Sequence, residues 1–125
     1  MSRSKEVLEL SGLKSKITEL VEKINTSQKT LEKIKEWING YNGKTIAFKT
    51  PEETFYLVFS DGVRLVDGEP SSFDMMLLSD EEILLDGIFN DPTNMRRYLK
   101  EGTITMWGNL HELPKFAEIV ITSIM

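Results

Sequence analysis

The sequence predicts a mixed α+β domain whose helices gather on one face of a sheet. Three observations lead there. The first 36 residues carry apolar side chains at helical spacing among Lys and Glu. From about Lys44 the apolar period shortens to two. After Ser79 helical patterns return around one more short strand. The predicted element order is α-α-β-β-β-β-α-α-β-α.

The chain has 125 residues, enough for one domain, expected over 1–125 with 1–39 as an N-terminal helical extension. Such a length buries roughly two-thirds of its unfolded surface, so the fold needs neither disulfides nor a structural metal. In the first segment Val7, Leu10, Leu13, Ile17, Leu20, Val21 and Ile24 form one stripe. Gly12 interrupts it at a cost of about 1 kcal/mol relative to alanine. Asn25-Thr26-Ser27 is a break, with Ser27 placed to cap a second helix carrying Leu31, Ile34, Trp37 and Ile38. Asn39-Gly40 and Asn42-Gly43 end it. The stripe either packs across its own sheet or forms a seam with a second copy, as in a homodimer.

Ile46 and Phe48 alternate with Ala47 and Lys49 in a first strand. Thr54 to Phe59 and Val63 to Val66 follow, separated by Thr50-Pro51-Glu52-Glu53 and Asp61-Gly62, which makes an antiparallel meander. Phe55, Leu57 and Phe59 are expected to face the helices. Phe73 to Leu78 is apolar on both faces, so it is central or covered. Ser79-Asp80-Glu81-Glu82 reads as a capping box for a helix carrying Ile83, Leu84, Leu85, Ile88 and Phe89 and stopping near Gly87. Pro92 opens another helix, with Met95, Tyr98 and Leu99, that ends at Gly102. Thr103 to Gly108 is a fifth strand, with Ile104 and Met106 expected toward the helices and Trp107 at the rim. Asn109 can cap a last helix bearing Leu110, Leu113, Phe116, Ile119, Val120 and Ile124.

Composition narrows the function. Without cysteine there is no thiolate chemistry and no iron–sulfur cluster. One histidine cannot build a His-rich metal site. The net charge is -5, with +2 in the first 36 residues and -7 in the rest, which argues against nucleic acid as a partner. No apolar run approaches the ~20 residues of a membrane helix, so no stable membrane insertion is expected. No secretory pattern shows at Met1–Glu9, and the expected compartment is cytoplasmic.

Chemistry is sparse. There is no nucleophile elbow, phosphate loop or dinucleotide fingerprint. His111 reads as a surface residue. Asp80-Glu81-Glu82 suits a helix start better than a metal, because consecutive acids do not converge. Arg96-Arg97 is either a solvated helix face or a grip on a phosphate or carboxylate. The apolar side chains from Met75 to Leu78, and on the three helices that follow, are plentiful. Methionine suits surfaces that adapt to varied apolar shapes. Core and pocket look alike at this level.

The ordered phrases of the second half resemble the sterol carrier protein family. They are Phe55 to Asp61-Gly62, Phe73-Asp74-Met75-Met76-Leu77-Leu78-Ser79-Asp80-Glu81-Glu82-Ile83-Leu84, then Gly87, Pro92, Gly102 to Asn109 and Lys115-Phe116. The resemblance covers about residues 44–125. It implies a five-stranded, mostly antiparallel sheet with helices over one face. It also implies a tunnel that takes an apolar small molecule (lipid, fatty acyl or sterol-like), with no cofactor and no covalent chemistry. Its walls would be Met75, Met76, Leu77, Leu84, Leu85, Ile88, Phe89, Met95, Tyr98, Leu99, Phe116, Ile119, Val120 and Ile124, with Arg96 at the mouth. The alternative is a ligand-free interaction or oligomerisation module that works through its N-terminal helices.

Overall fold

The computed structural model describes residues 12–40 and 43–124, and its elements follow the predicted order. Two helices come first, α1 (Gly12–Asn25) and α2 (Gln28–Ile38). Four strands follow: β1 (Lys44–Lys49), β2 (Thr54–Phe59), β3 (Val63–Asp67) and β4 (Met75–Leu78). Then come α3 (Glu81–Leu85), which runs into a π turn over Asp86–Asn90, α4 (Pro92–Glu101), β5 (Thr105–Gly108) and α5 (Glu112–Ile124).

The sheet order is β3-β2-β1-β4-β5. Short turns make β1, β2 and β3 the expected antiparallel meander. The chain then returns to the other side of β1, where β4 lies parallel to it. Asp74 fixes that return: its carboxylate accepts from the Thr45 N–H at 2.7 Å, and its own N–H donates to the Thr45 carbonyl at 2.9 Å. Pairing of β5 with β4 is antiparallel, and it ends at Gly108, whose φ is +105°. A Cβ there would meet the Asp74 carbonyl at 2.4 Å, so only glycine fits.

Strand alternation decides which side chains meet the helices. Phe55, Leu57 and Phe59 are fully buried beside Ile46, Phe48, Met75 and Leu77. Ile104 is buried and Met106 half-buried on the same side. The opposite face carries a cross-strand row of Val66, Tyr56, Ala47, Met76 and Trp107. Trp107 lies at the rim, on the edge strand, and is 51% exposed.

The N-terminal stripe lies across its own sheet. Leu13, Ile17, Leu20 and Ile24 of α1 are buried, as are Ile34, Trp37 and Ile38 of α2. Val7 and Leu10 lie outside the described residues. Ser27 caps α2 as expected, accepting from the Thr30 N–H at 3.2 Å. Asn25 ends α1 and extends β3, bonding both the N–H and the carbonyl of Val63 at 2.9 Å. Where α1, α2, α5 and the sheet meet, Trp37, Phe48, Phe55, Phe59 and Phe116 form a chain of tilted and edge-on ring contacts with centroids 5.0–6.3 Å apart.

Two expectations fail around α3. The capping box does not form: Asp80 takes the cap position, and no side chain caps the helix. The Ser79 hydroxyl donates instead to the Thr103 carbonyl at 2.8 Å, tying β4 to the approach of β5. Glu81 accepts from the Leu13 N–H at 3.1 Å, serving the first turn of α1 rather than its own helix. Nor does the helical path stop at Gly87, because it widens into the π turn and continues to Asn90.

Candidate ligand-binding site

The π turn, α4 and α5 enclose the candidate site. Asp91 caps α4, accepting from the Thr93 N–H at 3.0 Å, and Pro92 opens the helix as predicted. Gly102 closes it with a left-handed φ of +80°. Asp86 holds the π turn against α4. Its carboxylate accepts from Tyr98 at 2.6 Å, Asn90 at 2.7 Å and Asn94 at 3.0 Å. The Tyr98 hydroxyl, then Asn90 and Asn94, keep the Asp86 carboxyl below the usual carboxylate range, while that bond raises the tyrosine. At Gly87 an added Cβ would lie 3.2 Å from the Met95 side chain, so the turn approaches α4 closely there.

α5 is pinned at its start. Glu112 is buried and accepts from Trp37 Nε1 at 2.8 Å and Lys44 Nζ at 2.6 Å. Burial pushes its carboxyl up, but the Lys44 and Trp37 bonds together outweigh this and hold it below the ordinary value. Further along, Lys33 pairs with Glu118 at 2.9 Å, and Ser123 donates to Thr30 at 3.3 Å. Its N-terminal end is thus pinned to α2 and β1, and its middle and last turn are tied to α2.

Between these elements lies an open-sided cavity of about 430 Å³. Buried Gly87, Met95, Phe116 and Val120 form its floor, and half-buried Ile88, Leu99, Leu113 and Ala117 its walls. Exposed Arg96, Leu110, Pro114 and Ile121 form the rim. The volume is within the roughly 300–1,000 Å³ of small-molecule sites, and the lining is apolar except for Arg96.

Six of the fifteen residues singled out from the sequence meet in this cavity: Ile88, Met95, Arg96, Leu99, Phe116 and Val120. The others lie elsewhere. Met75, Leu77, Leu84 and Ile119 are in the core, and Met76 is on the opposite face of the sheet. Leu85 and Phe89 pack against the core, Tyr98 is bonded to Asp86, and Ile124 is exposed at the end of α5. Sequence reading missed Gly87, Leu110, Leu113, Pro114, Ala117 and Ile121 as lining residues. The available signal was a second apolar stripe on α5, Pro114, Ala117 and Ile121, with Leu110 in the turn before it, beside the core stripe of Phe116 and Ile119.

Of the arginine pair, only Arg96 belongs to the cavity. Arg97 lies over the Tyr98 ring at 4.9 Å and donates to Asn94 at 3.3 Å. Among the described residues there is no cluster of three or more metal-ligating side chains.

Solved structures share the architecture. A protein described as UbiJ-SCP2, a ubiquinone synthesis protein, superposes with a TM-score of 0.69 at 14% identity, over 86% of each chain. The fold is that of the sterol carrier protein 2 domain. Sterol carrier protein 2 from Yarrowia lipolytica in its apo form gives a TM-score of 0.62 at 17% identity, over 83% of this chain and 85% of that one. Sterol carrier protein domain 2 of Helicoverpa armigera gives 0.58 at 17%, over 87% and 85%. No protein-family model and no curated protein sequence matches the chain. In this sterol carrier protein 2 fold the cavity sits at one end of the helical layer, beyond the aromatic core.

Proposed function

We propose that this protein binds and carries an apolar small molecule (lipid, fatty acyl or sterol-like) in the cavity between the π turn, α4 and α5, without covalent chemistry. The observation that carries the reading is the cavity itself: about 430 Å³, apolar floor and walls, and a single cation at the rim. Such a site gains affinity from buried area and discriminates weakly between chain lengths. The structural neighbours, sterol carrier proteins and a ubiquinone synthesis protein, support an apolar ligand. Arg96 would meet a carboxylate head group in a charge-assisted bond. No helix among the described residues is long and apolar enough to cross a membrane, as fits a carrier that is not embedded in one. The module reading has less support, because the described stripe of α1 is buried in its own core.

Titration with a fluorescent fatty acid and a fluorescent sterol tests the proposal, alongside native mass spectrometry of the purified chain. The wild type is expected to bind both probes. Ala117→Phe is expected to fill the slot and weaken both about tenfold while the circular dichroism spectrum is unchanged. Arg96→Ala is expected to weaken the fatty acid alone. A folded wild type that binds neither probe and co-purifies with no lipid overturns the reading.

A further inference from the structure

The two edges of the sheet are finished differently. At the β3 edge α1 takes up the backbone: Asn25 bonds both the N–H and the carbonyl of Val63 at 2.9 Å, and Lys14 pairs with Asp67 at the other end of the strand. Charge guards this edge as well, with Arg64 exposed between them. The β5 edge has no such device among the described residues. From Gly102 to His111 the chain carries no formal charge, the longest such stretch in a sequence where 28% of residues are charged. Trp107 and Leu110, 51% and 59% exposed, are the two most exposed large apolar side chains among the described residues, and they lie on β5 and just after it.

The open backbone of β5 has a definable length. The Asn109 N–H donates to the Asp74 carbonyl at 2.9 Å, so the Gly108 carbonyl, in the same peptide plane, points away from β4. Alternation along the antiparallel pair turns the N–H and carbonyl of Met106 outward with those of Gly108. Ile104 does not extend this edge, because its N–H is taken by the Tyr98 carbonyl at 3.1 Å. An incoming strand therefore finds a ladder at Met106 and Gly108, with Trp107 between them on the outer face. A disordered peptide gains too little from so short a ladder to offset its own ordering. A strand already held in place avoids that cost, and β5 of a second copy is such a strand. Brought up antiparallel, it matches Met106 of each copy to Gly108 of the other. Trp107 of one copy then meets Trp107 of the other in the close, non-hydrogen-bonded position. No charge faces a like charge along this edge, although the chain as a whole carries -5.

We propose that the protein forms a twofold dimer by pairing β5 with β5 of a second copy, which joins the two sheets into one of ten strands centred on Trp107. The dimer goes beyond the carrier reading and does not depend on it, because no ligand takes part in the pairing.

Light scattering of the full chain over a range of concentrations, with cysteine trapping, provides the test. The mass of the wild type is expected to rise from monomer to dimer with concentration. Trp107→Asp sets two carboxylates against each other at the axis. It is expected to raise the dissociation constant about tenfold or more, with an unchanged circular dichroism spectrum. Because the chain has no cysteine, a single thiol can be placed at either edge. In the paired register the two Cα atoms at 107 lie about 4.5 Å apart, within reach of a disulfide. Trp107→Cys is thus expected to give a covalent dimer on mild oxidation, and Arg64→Cys on β3 to remain monomeric. The thiol pair decides the matter if Trp107→Asp does not fold. The proposal is overturned if the wild type stays monomeric at every concentration, or if a disulfide forms at 64 as readily as at 107. It is also overturned if folded Trp107→Asp dimerises as well as wild type, as it would through another face such as the N-terminal helices.

Discussion

The two ends of the helical layer are built differently over the same sheet. Under α1 and α2, five aromatic rings pack in one core with Leu13, Ile17, Leu20 and Ile24, all of them buried. Between α4 and α5 the side chains at the contact are Gly87, Ala117, Met95 and Leu99, and a cavity opens. Overall hydrophobicity does not separate the two ends. Side-chain size and shape do: rings and branched residues fill one end, while at the other Gly87 and Ala117 put little side chain into the space between the π turn, α4 and α5.

The contrast makes predictions. The largest effect is expected at the packed end. Phe59→Ala removes a fully buried ring that touches both Trp37 and Phe116, and it is expected to cost about 3–5 kcal/mol in urea unfolding. Leu99→Ala at the half-filled end is expected to cost well under half of that, because its neighbours already border open space. Equal costs at the two sites would erase the distinction.

Next comes the pin that joins the two ends. Lys44→Met leaves Glu112 buried against Trp37 with its cation gone, at an expected cost of about 3 kcal/mol at neutral pH. The sign with pH follows from the depressed carboxyl of Glu112. Its contribution is present above the ordinary carboxylate pKa and is lost as pH falls through the lower folded value. The gap between Lys44→Met and wild type should therefore narrow as the medium becomes acid, read from denaturation midpoints across pH. A gap that widens in acid contradicts the assignment.

Asp86→Asn should have a smaller effect on stability and a clearer one on the cavity. It weakens the bonds to Tyr98, Asn90 and Asn94 that hold the π turn. The expected outcome is faster amide exchange over residues 86–90 with little change in the melting temperature. The smallest stability change is expected for Gly87→Ala. The gain in helix propensity, about 1 kcal/mol, is set against a Cβ 3.2 Å from the flexible end of Met95. Its mark should be a weaker apolar probe, not a weaker fold.

Much of the fold is legible in the sequence where local pattern and tertiary role coincide. The stripe from Leu13 to Ile24, the alternation of Phe55, Leu57 and Phe59, and the Asp91-Pro92 helix start all work this way. The reading fails where a residue is claimed by a distant partner. Ser79 answers to Thr103, 24 residues away, so the local capping box loses its capping hydroxyl, and Glu81 answers to Leu13, 68 residues away. The cavity was legible only in part for a related reason. Met75 and Leu77 are as apolar as Met95 and Leu99, and periodicity does not report whether the facing space is filled. Gly87 read as a stop because glycine commonly ends helices, whereas here it permits the π turn to come close to α4.

The parallel pairing of β1 and β4 has a consequence for the order in which the chain folds. β1, β2 and β3 close through short turns and can form as soon as they are made. Ile46 must wait for Met75, 29 residues later, and α5 arrives last to cover Phe48 and Phe59. Until then the central strand has one open edge, and an open edge is where nascent chains associate wrongly. Pulse-labelled amide exchange should show β2 and β3 protected before β4 and β5. The slow step in refolding should be the closure of that edge.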